Sequence, residues 1–291
     1  MSSTNLSEVF KILDLKEKLK RKEEEFFELY GQKIRISFKL KEKVELVCNI
    51  VRDRFGENYE WIGYLLGNNE YVALDFYLPY QIVSRAFVTE DKIYSSKVSR
   101  ELEEYMKRTG LRLIGWIHSH GSLSPFHSGV DDQNTYGMVR FIGSHSKRVF
   151  LELDKAPKRI ERIIPKGKDI ILDGEKTAII GKIVIPNELA RVLFNRSILG
   201  KNVEKAVTNI LSILLSYMDW WFFKKRWLAP VYSIVTNANL EFYGEIWRYD
   251  SDKAPEKIAK GDIVEIIDIE HDVLWDKETL IEEVNKKVRL G

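Results

Sequence analysis

The chain has 291 residues, enough for more than one folding unit, and its 46 basic against 44 acidic side chains give a net charge of only +2. So balanced a surface excludes a protein held to nucleic acid by bulk charge. The single cysteine, Cys48, excludes an internal disulfide. The opening MSSTNLSEVFKILDLKEKLKRK lacks the apolar block and small-residue cleavage site of a secretory signal, so a cytoplasmic protein is the expectation.

The first element is a charged helix over Ser7–Tyr30, with Ile12, Leu15, Leu19, Phe26 and Leu29 in a loose heptad that Lys22 breaks and Gly31 ends. In KIRISFK, Ile34, Ile36 and Phe38 alternate as in a half-buried strand. Leu40, Val44, Val47, Cys48 and Val51 then recur at helical spacing, which places Cys48 on an apolar face as a small buried side chain. EWIGYLLG and YVALDFYL read as a hairpin turning at 67–69. A helix over Ser96–Arg108 presents Val98, Leu102, Tyr105 and Met106 on one face and closes at Gly110. LRLIGWIHSH is a strand, and Ser128 to Asp131 has the S-x-x-D form of a helix start leading into DDQNTYGMVRFI.

VFLEL is a further strand, and Lys155–Pro186 alternates charged and apolar residues like extended ribbon. Helices are expected from about Asn187 to Trp227, then strands at VYSIVT, LEFYGEIW, DIVEIIDI and HDVLW, and a closing helix over Lys277–Arg289. Ala206–Phe223 approaches membrane-spanning length, but Asn209, Ser212, Ser216 and Asp219 interrupt it. A buried or partner-facing helix, available for a protein partner or self-association, is the reading here. The basic and aromatic run DWWFFKKRW reads as a packed helix end, with no nucleic-acid partner.

Three of the five histidines fall within HSHGSLSPFH, from His118 to His127. His118 and His120 stand two apart at a strand end, so both imidazoles leave one face of the sheet. Asp131, in the first turn of the next helix, is the third candidate ligand. Two histidines and a carboxylate with an open fourth position form a catalytic zinc arrangement, although iron, cobalt or manganese also suit such donors. Zinc lowers the pKa of water it binds to about 7, and a carboxylate must still carry the proton. Glu60, opening EWIGYLLG, is the candidate, with Glu57 three residues away as its competitor. Ser128 is placed to donate to a developing oxyanion. The alternative is a hydrogen-bonded histidine pair without metal. His127 reads as a side chain at the rim, His145 and His271 as isolated, and Asp132 as a partner of the helix N-terminus.

These positions carry a resemblance. H-x-H, seven residues, S, two residues, D is met by His118, His120, Ser128 and Asp131, with Glu60 upstream of a G-x-L-x-G-like strand at Gly63–Gly67. The stretch Lys33–Leu153 resembles the JAMM motif and domain of the MPN+ metalloproteases. The resemblance implies an α/β core of curved mixed sheet flanked by helices, one zinc ion on His118, His120 and Asp131, Glu60 as general acid/base, and Ser128 steadying the tetrahedral intermediate. The family usually has proline after the second histidine, where this chain has Gly121, so a looser loop is expected. The sequence KGDIVEIIDIEHDVLW is similar to the small OB-like barrel of the NfeD family.

The expected organisation is therefore an N-terminal helical arm at 1–31, an MPN/JAMM metalloprotease domain at 32–186, a helical segment at 187–228 and a small OB-like β domain at 229–291. The expected function is a zinc-dependent isopeptidase or peptidase cutting an amide at the C-terminus of ubiquitin or a ubiquitin-like modifier, with the conjugate gripped by about Pro79–Ser95 and Phe141–Pro165. Two alternatives stand beside it: a JAMM hydrolase of another amide, such as a sulfur-carrier precursor or small acyl-amino acid, and an MPN scaffold subunit with a little-used site.

Overall fold

The computed structural model describes residues 6–155, 162–166, 169–173, 178–183 and 221–291, apart from 86, 271, 272 and 274. They fall into two units, Glu25–Arg148 with Trp227–Gly291, and Met1–Glu24 with Val149–Arg226.

The first unit begins with the end of α1 (Leu6–Tyr30), where Phe26, Phe27 and Tyr30 are buried and Gly31 N–H donates to the Phe27 carbonyl at 2.7 Å. In β1 (Ile34–Ser37) Ile34 and Ile36 point into the core, as their alternation predicts. Ser37 also caps α2 (Phe38–Phe55), its Oγ accepting from Leu40 N–H at 3.1 Å, a bond of the kind that contributes about 1 kcal/mol. Leu40, Val44, Val47, Cys48 and Val51 make the buried face of α2, and Gly56 ends it at φ 80°. The hairpin of β2 (Trp61–Gly67) and β3 (Ala73–Tyr77) is antiparallel, its turn tied by Asn68 Oδ1, which accepts from Glu70 and Val72 N–H at 2.9 and 3.1 Å. Two short antiparallel strands, β4 (Gln81–Val83) and β5 (Val88–Glu90), and helix α3 (Ser95–Thr109) precede β6 (Arg112–Ser119), which lies antiparallel to β2. Helix α4 (Gly129–Ser146) packs on β6 and buries Val139 and Ile142.

The chain then forms β7 (Arg148–Lys155), β8 (Arg162–Lys166), β9 (Asp169–Asp173) and β10 (Ala178–Ile183). In the second unit β8, β9 and β10 are an antiparallel meander, and β10 pairs with the first residues of β11 (Trp221–Thr236), Gly181 opposite Lys224. Trp221–Trp227 is therefore strand, where a helix end was expected. The rest of the expected helical segment, and most of the partner-facing stretch 206–223, lie outside the described residues.

From Trp227 the chain belongs to the first unit again, through β12 (Phe242–Asp250), β13 (Glu256–Gly261), β14 (Val264–Ile267), α5 (Lys277–Lys287) and β15 (Val288–Leu290). The main sheet of that unit runs β14-β1-β3-β2-β6-β11-β12-β13. Its outer strands are neighbours in the chain, so the sheet is curled. β14, β3 and β11 lie parallel to the strands they flank at β1 and β6, and the remaining pairs are antiparallel.

Four expectations are corrected here. The residues assigned to a separate OB-like domain at 229–291 are strands of the main sheet. β11 runs beside β6, Tyr232 opposite Gly115 and Thr236 opposite Ser119, and the run Val231, Tyr232, Ile234, Val235 is buried as in a strand covered on both faces. The boundary drawn at 186 gives way to one at Arg148, with the core resuming at Trp227. The closing helix stops at Lys287, and β15 extends parallel to β4. Of the expected strand HDVLW, Val273 and Trp275 are in no strand and the other residues lie outside the described ones. β6 and β11 approach so closely at Gly115 that a Cβ there would sit 2.1 Å from the Tyr232 carbonyl oxygen. Among the described residues no helix is long and apolar enough to cross a membrane.

Candidate metal centre and active site

His118 is the penultimate residue of β6 and His120 follows the strand, both rings on one face and 5.0 Å apart. The His120 N–H donates to the Thr236 carbonyl at 2.8 Å, so β11 fixes the backbone at the point where the ligands emerge. Gly121 turns the chain at φ 58°, and a Cβ there would lie 2.4 Å from the Asn58 carbonyl oxygen. Proline, with φ near −65°, cannot adopt this conformation. The loop is instead held by Gly121 N–H to Ser119 Oγ at 3.1 Å, Ala238 N–H to the Gly121 carbonyl at 2.8 Å and Leu123 N–H to the His120 carbonyl at 3.0 Å. The expected looseness is thus corrected: glycine is the residue that this anchored turn requires.

The loop returns Asp131 to the histidines through a capping box. Ser128 N–H and Oγ donate to Asp131 Oδ2 at 2.8 and 2.7 Å, and Asp131 N–H donates back to Ser128 Oγ at 3.2 Å. The ligand atoms converge. His118 Nε2 is 3.2 Å from His120 Nε2 and 3.3 Å from Asp131 Oδ1, and His120 Nε2 is 3.5 Å from Asp131 Oδ2. Tetrahedral zinc with bonds of about 2.0–2.1 Å sets ligand atoms about 3.3–3.4 Å apart, close to the His118–His120 and His118–Asp131 Oδ1 separations, so the donors suit the ion in type and lie near enough to hold it.

Burial pushes the His118 imidazole down from its ordinary value, which leaves it neutral with a lone pair to give. Burial opposes charge on His120 too, but Asp131 and then Glu60 outweigh it and raise that group. Burial would raise Asp131; hydrogen bonds from His118, His120 and Ser128 overcome it and hold the carboxyl well below the usual carboxylate range. Burial lifts Glu60 to about 7, opposed by His120 and reinforced by Asp131. Glu60 lines the same cavity as the three ligand residues and Ser128, whereas Glu57 forms an ion pair with Arg85 away from it.

The cavity has a volume of about 580 Å³. One wall comes from Pro79 and Phe87–Glu90, inside the expected segment Pro79–Ser95; the other is Leu123, Phe126, Val130 and Met138, from the loop after β6 and the start of α4. The expectation had placed that second wall at Phe141–Pro165. Phe87, Leu123, Phe126 and Val130 are 57, 56, 49 and 66 % exposed, an apolar rim open to solvent.

Sequence reasoning missed two neighbours of the ligands. Trp116 shares the sheet face of His118 and stacks on it, centroids 4.7 Å apart and planes at 23°; the two-residue spacing was the available signal. His127, assigned to the rim, is buried against His118 and Tyr243, because β12 covers it. Asp132, beside the helix N-terminus as expected, is also paired with Lys257 at 2.7 Å.

The curled mixed sheet and its flanking helices are consistent with a JAB/MPN core. Residues 47–154 match the family model described as prokaryotic homologs of the JAB domain. That match includes the three ligand residues, Glu60 and Ser128 but stops before β11–β14, which complete the sheet. No curated protein matches the chain.

Proposed function

We propose that this protein is a zinc-dependent isopeptidase or peptidase that hydrolyses an amide at the C-terminus of ubiquitin or a ubiquitin-like modifier. The observation that carries the reading is the convergence of His118, His120 and Asp131 in one cavity with a carboxyl poised near neutrality, beneath an exposed apolar rim. A zinc ion held by the three side chains would supply Lewis-acid polarisation and activation of the nucleophile. Glu60, which burial lifts to about 7 in the metal-free site, takes a proton from the attacking water at a carboxylate oxygen and returns it to the nitrogen of the leaving amine. Ser128 orients Asp131 through its hydroxyl, which donates to Asp131 Oδ2, and is itself part of the cavity lining.

The rim supports a protein substrate over a small acyl-amino acid. Phe87, Leu123, Phe126 and Val130 offer apolar surface to an extended chain without closing over a small molecule. The test compares kcat/KM for an isopeptide-linked ubiquitin-like conjugate with that for short N-acyl amino acids. Preference for the conjugate by at least about a hundredfold is expected; equal or reversed preference would move the assignment to a small-amide hydrolase.

A further inference from the structure

We propose that His127, packed on His118 and hydrogen-bonded to Ser233, and Lys257, which pairs Glu245 with Asp132, are positioning residues of the metal centre, a reading that rests on zinc being held by His118, His120 and Asp131. Metal-binding histidines ordinarily donate their second ring nitrogen to a carboxylate, a carbonyl or water, which sets the ring's orientation. Among the described residues His118 Nδ1 is buried with no hydrogen-bond partner. Its ring is held by packing instead: Trp116 stacks on it, and His127 meets it edge-on at 5.8 Å and 88°.

His127 is itself well fixed for a loop residue. Its side chain is 2 % exposed and Nε2 lies 3.3 Å from Ser233 Oγ, while Nδ1, 3.7 Å from Glu245 Oε2, has no hydrogen-bond partner among the described residues. Ser233 Oγ also lies 3.3 Å from Thr135 Oγ1, which accepts from Trp116 Nε1 at 3.1 Å, so both rings that flank His118 belong to one network. The Glu245 carboxylate, buried on β12, accepts from Trp247 Nε1 at 3.1 Å and from Lys257 Nζ at 2.6 Å. Lys257 Nζ also donates to Asp132 at 2.7 Å, the residue next to the ligand Asp131. One ammonium thus ties β12 and β13 to the helical end of the ligand loop.

His127, Asp132 and Glu245 have donor atoms within 4.8 Å of one another, a grouping that would otherwise suit a cation. Lys257 lies on both carboxylates and is the cation of that cluster. The strands outside the JAB match therefore supply the outer support of the centre, through Ser233, Glu245 and Lys257.

The test measures zinc affinity of the full-length, metal-free chain by chelator competition, with the visible spectrum of the Co²⁺ form, for the wild type, His127→Ala, Lys257→Met and Lys257→Arg. His127→Ala and Lys257→Met should each weaken zinc binding about 10- to 100-fold and shift the Co²⁺ bands, while Lys257→Arg stays within about threefold of the wild type. Zinc binding by Lys257→Met within about twofold of the wild type would overturn the proposal, and so would equal losses in Lys257→Met and Lys257→Arg. If His127→Ala does not fold, the lysine pair decides. A wild type that binds no zinc would instead remove the metal-centre reading on which the proposal rests.

Discussion

Replacing Glu60 by glutamine in the metal-free protein is expected to stabilise it, and to do so only as pH rises. Burial carries the Glu60 carboxyl from its ordinary 4.5 to about 7, so the native state holds this proton more tightly than the unfolded chain does. The stability gained from that proton is fully present below the unfolded value and is lost as pH rises through about 7. A displacement of that size corresponds to about 3 kcal/mol at 1.36 kcal/mol per pH unit. Water in the open cavity screens the carboxylate and reduces the expected effect to about 1–2 kcal/mol. Glutamine keeps the shape and cannot ionise. Urea unfolding of both proteins in chelator, from about pH 4.5 to 8.5, should therefore show a Glu60→Gln advantage that grows from nearly zero to about 1–2 kcal/mol. An advantage independent of pH, or a wild type that is the more stable at the alkaline end, would refute the argument that burial of this carboxyl is what sets its protonation.

Further substitutions test the site's construction. Gly121→Pro requires a backbone angle that the turn at φ 58° does not have, and should cost about 1–3 kcal/mol in denaturant unfolding and weaken zinc binding; an unchanged midpoint would contradict the turn described. Gly115→Ala puts a methyl group 2.1 Å from the Tyr232 carbonyl oxygen and should lose at least about 2 kcal/mol by the same assay, as β6 and β11 are forced apart. Phe126→Ser removes apolar surface from the rim and should raise KM for a ubiquitin-like conjugate about tenfold with kcat within about twofold, the pattern of lost ground-state binding in steady-state kinetics.

The clustering of the candidate ligand residues was legible because its logic is local. A strand end, a ten-residue loop and a helix cap bring His118, His120 and Asp131 together within 14 residues, and the cap itself, Ser128 with Asp131, can be read from its spacing. The same locality explains the β2–β3 hairpin, whose turn is fixed by one asparagine side chain. What could not be read depends on pairing between distant segments. β11 joins β6 across more than a hundred residues, and nothing in VYSIVT says whether its strand completes the core sheet or begins a separate barrel. His127 followed from that error, since its burial comes from Tyr243 and Glu245 on β12. Gly121 was misjudged for a related reason: the carbonyl of Asn58 that excludes a side chain there belongs to a different part of the chain. Trp221–Trp227 failed as a helix because WFFKKRW, a block of aromatics followed by a block of basic residues, carries no periodicity that tells helix from strand.

The most direct measurement of the central claim is the zinc content of purified, zinc-reconstituted protein after removal of free metal, for the wild type and for His120→Ala. The account predicts one zinc per chain in the wild type and none in the variant, because His120 Nε2 is one of the three proposed protein donors to the ion. A wild type without zinc, or a His120→Ala protein that retains it, would contradict the metal centre and with it the hydrolytic function built on it.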